Sequence, residues 1–153
     1  MSKIPENELV EYAKRYFKEK GFKKKNKRWL KEEPDFTISF LIQGSNWDKD
    51  MYYIRPGIFI NGLETNLYYG HFMTELAQDS LENIFCEFEK FVATWTDKVA
   101  VKKIITDFME WDKRNPLEKR RASLVDYKKD PVPSEVCFGI PESVIKYIIE
   151  NFD

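Results

Sequence analysis

Apolar residues recur at helical spacing from Asn7 onward: Leu9, Tyr12, Ala13, Tyr16 and Phe17 share one face, and Gly21 stands where a helix needs a left-handed residue beyond its last turn. The pattern predicts a first helix over residues 6–20. Strict alternation then takes over. Asn26 and its flanking lysines read as a short turn after Phe22, followed by a strand over 27–32 and a turn at Glu33-Pro34-Asp35. The clearest strand is next, with Phe36, Ile38, Phe40 and Ile42 on one side and Thr37, Ser39, Leu41 and Gln43 on the other. A second long strand, about 51–61, puts Tyr52, Ile54, Ile58 and Ile60 against Tyr53, Arg55 and Phe59. Pro56-Gly57 interrupts it, which predicts an edge position or a bulge, because proline cannot donate to a ladder. The spacing from Gly44 to Asp50 suits a hairpin loop, so the two strands should be antiparallel.

The second half has the period of helices. Asp79 and Glu82 read as a capping box before a stripe of Leu81, Ile84, Phe85, Phe88, Val92 and Trp95, which should pack on the sheet. A further helix runs over 98–113 with Val101, Ile104, Ile105, Phe108 and either Trp111 or Met109 inward, and ends at Asn115-Pro116. Residues 117–135 are polar and show no period. Val136-Cys-Phe138 suggests a last short strand, and Pro141 opens a C-terminal helix carrying Val144, Ile145, Ile148, Ile149 and Phe152. The expected fold is α+β: a small antiparallel sheet packed against several helices, in one compact domain spanning 1–153 with a loose tail over 1–6.

Composition agrees with a folded chain. Of 153 residues, 42% are hydrophobic and 16% aromatic, enough for a core, and 33% are charged. No apolar run reaches the roughly 18 residues that cross a bilayer, and the first residues lack the apolar stretch of a signal peptide, so the expectation is a cytoplasmic protein without a membrane partner. Cys86 and Cys137 sit in apolar neighbourhoods without metal or redox spacing and read as buried free thiols.

Charge changes the picture more. The net charge is −1, yet residues 14–31 hold ten bases and one acid, leaving about −10 on the rest. Lys23, Lys24, Lys25, Lys27 and Arg28 could hold phosphates, with Trp29 and Phe22 stacking on bases. The alternative is that the lysines cover the wet side of a helix and guard a strand edge against foreign pairing.

Catalytic constellations are scarce. His71 is the single histidine, there is no G-x-S-x-G elbow, phosphate loop or dinucleotide fingerprint, and Tyr68-Tyr-Gly-His-Phe72 reads as a turn before a helix. Pro34-Asp35 lacks the acid-x-lysine of a nuclease-type metal site, since Asp48-Lys49-Asp50 has another order. No enzyme, cofactor or metal is expected.

Gly21-Phe-Lys-Lys-Lys25, Arg28-Trp29, Gln43-Gly-Ser-Asn-Trp47 and Ile54-Arg-Pro-Gly-Ile-Phe-Ile60 follow one another at the spacing of a bacterial family known as a domain of unknown function, number 4304. The chain resembles that family over about residues 8–62, departing from it at Arg55-Pro56. The resemblance implies an α+β fold and a bacterial source, and carries no activity.

Within the loop, Gly44, Ser45 and Asn46 suit a turn, whereas Gln43 and Trp47 are not required by one. Trp47 is either a lid on the sheet end or an anchor for a partner. Two functions follow. The first is a protein-binding module, of the kind that inhibits a basic toxin as an immunity protein does, with Gln43, Trp47, Asp48, Asp50, Tyr52, Tyr53, Tyr68 and Tyr69 as contact residues. The second is nucleic-acid binding through 14–31, which a pI near 6.0 disfavours.

Overall fold

The computed structural model describes residues 4–64 and 67–153. Contacts divide the chain into two units, residues 1–96 and 97–153. Among the described residues there are five α-helices and one five-stranded antiparallel sheet, an α+β fold.

The first unit opens with α1 (Glu6–Lys18), which buries Leu9, Ala13 and Phe17. Its end is followed by Gly21 at φ +80°. Strands β1 (Lys23–Lys25), β2 (Arg28–Glu32), β3 (Phe36–Gly44), β4 (Tyr52–Ile60) and β5 (Phe72–Met73) lie side by side in chain order. The run Lys23–Lys25 is therefore a strand rather than the expected turn. The reversal falls at Asn26, whose φ of +58° is tolerated because its short polar side chain can bond locally.

Register fixes the two faces of the sheet. Phe36, Ile38, Phe40 and Ile42 stand opposite Ile60, Ile58, Pro56 and Ile54, and all eight are buried. This is the core face that the alternation anticipates. The helix α2 (Leu81–Trp95) covers it: Phe40 meets Phe85 and Phe88 at ring distances of 5.2 and 5.1 Å, and Phe72 meets Trp95 at 4.7 Å. Phe17 stands at the centre, in ring contact with Phe22, Trp29, Phe40, Phe85 and Phe88. A side chain so enclosed contributes about 1.5–3 kcal/mol by burial alone.

Three further expectations are corrected in this unit. Pro56 marks neither a bulge nor an edge: β4 lies between β3 and β5, Pro56 stands opposite Phe40 in unbroken register, and its carbonyl accepts from the Thr74 amide on the β5 side. The cap of α2 is Ser80 rather than Asp79, with Ser80 Oγ accepting from the Asn83 amide at 3.1 Å. The turn at 68–71 leads to strand β5, not a helix, because the His71 and Thr74 amides donate to the Ile58 and Pro56 carbonyls. At the start of the chain, Ile4 is buried and its carbonyl accepts from Tyr52 Oη at 2.7 Å; residues 1–3 of the expected tail lie outside the described residues.

The second unit comprises α3 (Lys98–Arg114), α4 (Leu117–Arg121), a 3₁₀ turn (Glu135–Gly139) and α5 (Glu142–Asn151). Trp111, not Met109, points inward, and its ring meets Phe108 and Phe138. Asp130 ties the polar segment down. Its carbonyl accepts from Trp111 Nε1 at 2.9 Å, and its carboxylate takes two bonds from Arg114 and one from Asn115. The expected strand at 136–138 is the 3₁₀ turn, started by Ser134 Oγ accepting from the Val136 amide. No helix among the described residues is long and apolar enough to cross a membrane.

Candidate functional site: the outer sheet face and the β3–β4 loop

Alternation in β3 and β4 sends Ser39, Leu41 and Gln43, with Tyr53, Arg55 and Gly57, to the face opposite the core, where they pair as Gln43 with Tyr53, Leu41 with Arg55 and Ser39 with Gly57. Arg28 of β2 pairs with Leu41, so Arg28, Leu41 and Arg55 form one row across three strands. The segment Leu67–His71 straps this face. The Tyr69 carbonyl rests on Gly57, and Gly70, at φ +122°, passes so near the Ile58 backbone that a Cβ would stand 2.9 Å from its carbonyl oxygen. Only glycine fits that approach.

Two arginines hold the strap. Arg28 Nη2 donates to the Tyr68 carbonyl at 2.6 Å, and its guanidinium lies 4.3 Å from the Tyr68 ring centre. Arg55 Nη1 donates to Gln43 Oε1 at 2.5 Å and to Tyr69 Oη at 2.9 Å, while Tyr69 Oη itself donates to Gln43 Oε1 at 2.8 Å. The Arg55 guanidinium also lies 4.7 and 5.0 Å from the Tyr53 and Tyr69 ring centres, within cation–π range. Its outer edge, Nε and Nη2, reaches one oxygen of Glu75, at 3.4 Å in each case.

Beyond the Gln43–Tyr53 pair the chain reverses. Ser45 Oγ accepts from the Trp47 and Asp48 amides at 3.1 and 3.3 Å, and Asp48 Oδ1 accepts from the Asp50 amide at 2.9 Å. The backbone is thus tied by its own small side chains. Nothing ties the indole: Trp47 is 96% exposed, which removes the reading of it as a lid.

The expected contact residues separate into three groups. Trp47, Asp48, Asp50 and Tyr68 are exposed; Gln43, Tyr53 and Tyr69 are half-buried around Arg55. Tyr52 is excluded as a contact residue, since at 2% exposure it lies on the core face with its hydroxyl donating to Ile4. Arg55, Arg28 and Glu75 are the residues that sequence reasoning did not place in the site. A signal existed: alternation already put Arg55 on the side of Tyr53.

The basic segment has a different fate. Lys23, Lys24, Lys25 and Lys27 are exposed, Lys27 in an ion pair with Glu6. Trp29 is 2% exposed and packs on Phe17, so it cannot stack on a base, and Phe22 packs 4.4 Å from Phe17. His71, also buried, accepts from the Ile60 amide through Nδ1 at 2.8 Å; burial pushes its pKa down, with the Glu64 backbone acting the other way. Of the thiols, Cys137 is buried and its pKa is pushed up to about 12, whereas Cys86 is exposed, contrary to expectation, because it lies on the side of α2 away from Phe85 and Phe88. Among the described residues no group of three or more His, Cys, Asp or Glu side chains could hold a metal ion.

A family model described as a domain of unknown function, DUF4304, matches residues 13–152. The chain belongs to the DUF4304 family. The match extends well past the Gln43–Trp47 and Ile54–Ile60 motifs and takes in both units. No match was found among curated proteins or solved structures.

Proposed function

We propose that this DUF4304 chain is a non-catalytic protein-binding module that docks its partner on the β3–β4 loop and the adjoining end of the sheet. The observation that carries the reading is Trp47: a large amphipathic ring fully in water on a loop whose backbone is braced by Ser45 and Asp48. Tryptophan is among the residue types that dominate binding energy, and a braced loop loses little entropy on docking. Asp48 and Asp50 beside it, with the acidic excess outside residues 14–31, favour a partner with a basic face. The finer form of the proposal is an immunity-type inhibitor of a basic toxin in a bacterial cytoplasm.

The test is capture from a lysate of the source organism at near-physiological salt by the immobilised full chain, its Trp47→Ala variant and an Asp48→Lys/Asp50→Lys variant. One stoichiometric basic protein is expected on the parent chain, with affinity reduced roughly thirtyfold or more by Trp47→Ala and slower association after charge reversal. Equal retention by all three overturns the assignment to this loop, and retention of nothing overturns the module.

A second reading rests on Lys23, Lys24 and Lys25, all exposed on the edge strand β1. It requires nucleic-acid affinity that falls steeply with salt and drops when the three are neutralised together.

A further inference from the structure

The Arg55 centre on the outer face is built from donors. Gln43 Oε1 accepts from both Arg55 and Tyr69, which fixes the amide so that its nitrogen faces away from them. Arg55 has spent Nη1 on the inner contacts and presents its Nε/Nη2 edge outward, the edge whose fork matches a carboxylate. That edge already shows its preference. It holds Glu75, but through a single oxygen at 3.4 Å to both nitrogens, whereas a well-seated carboxylate uses two oxygens at about 2.8 Å. Glu75 is 53% exposed and Arg55 23%, so the acid can swing away while the guanidinium stays clamped by Tyr53 and Tyr69.

We infer that the Nε/Nη2 edge of Arg55, flanked by the Tyr53 and Tyr69 rings, is a binding site for a small aromatic carboxylate that displaces Glu75. The carboxylate takes the guanidinium edge, and the aromatic body lies against the tyrosine rings that flank Arg55. Arg28, in the same cross-strand row, adds a second positive charge about 10 Å away across two strand spacings. The inference uses the same sheet face as the docking reading but does not depend on it, because a free acid binds Arg55 whether or not a protein docks at Trp47.

The test is a ¹H–¹⁵N NMR titration of the full chain with sodium benzoate at constant ionic strength, with benzamide and inorganic phosphate as comparators. Saturable shifts of the Arg55 Nε–H and Gln43 side-chain amide signals are expected, with a Kd on the order of 1–10 mM. Glu75→Gln, which removes the competing carboxylate from an exposed position, should tighten benzoate binding about three- to tenfold. Arg55→Lys should weaken it about tenfold or more, and if that variant does not fold, Glu75→Gln decides alone. Absence of saturable shifts overturns the site, as does Glu75→Gln binding no more tightly than the parent. Equal shifts with benzamide or phosphate overturn the carboxylate assignment. Trp47→Ala should bind benzoate as the parent does, so failure of the docking module leaves this result standing.

Discussion

The backbone carbonyl of Tyr69 lies on Gly57 so closely that a Cβ at position 57 would stand 1.7 Å from its oxygen. The obstacle is backbone, which cannot rotate aside, so Gly57→Ala must lift the strap or bend β4. Its cost should reach the upper part of the overpacking range, about 3 kcal/mol. Gly62→Ala is the comparison: φ is +83° with open space around it, so only backbone strain of about 1–2 kcal/mol applies. Chemical denaturation of the two variants measures the difference, and equal costs would mean that the strap does not press on β4.

Trp47 and Trp29 predict opposite outcomes for one substitution. Trp47→Ala should change stability by no more than about 0.5 kcal/mol, since its ring is in water. Trp29→Ala removes a ring enclosed by Phe17 and Phe40 and should cost about 3–5 kcal/mol. Urea midpoints of both variants check the pair.

His71 makes the first unit acid-sensitive. Burial lowers its pKa in the folded chain, so as pH falls below about 6.5 the unfolded chain takes up the proton first. The contribution is fully present above that pH and is lost as pH drops toward the depressed value. Protonation also converts Nδ1 from acceptor to donor against the Ile60 amide. Melting temperature should fall between pH 7 and 5 in the parent chain and stay flatter in His71→Gln. The attribution is clean because there is no other histidine.

In the second unit, Asn115 is 1% exposed and donates to Asp130 Oδ2 at 2.8 Å and to the Trp111 carbonyl at 3.2 Å. Asn115→Ala should cost about 1–3 kcal/mol, because it leaves those acceptors short of a buried donor. The Asp130 carboxyl is held down to about 2 by its bonds from Arg114 and then Asn115. Its contribution is present above the ordinary carboxylate pKa and disappears as pH falls from about 4 toward 2, so Asp130→Asn should flatten the acid limb of a stability profile.

Alternation and amphipathic period were strong enough in β3, β4, α1, α2 and α3 to reveal which residues enter the core. What they could not reveal depended on tertiary contacts. Pro56 reads as a mark of an edge or bulge until Phe40 is placed opposite it, and Val136–Phe138 reads as a strand although it folds into a 3₁₀ turn. The site was half legible. Gln43, Trp47 and the tyrosines stand out as residue types a hairpin does not need, whereas Tyr52 shares the face of Ile54 and enters the core despite its place beside the loop. Arg55 and Glu75 are brought together across 20 positions by strand pairing, and no local spacing announces that contact.

The two thiols also set how the molecule can be observed. A maleimide at neutral pH needs an accessible thiolate, and Cys137 offers neither access nor ionisation, whereas Cys86 faces water. The wild-type chain therefore accepts one fluorophore at one known place on α2, far in sequence from Trp47, and so can be labelled and followed without a cysteine being added or removed.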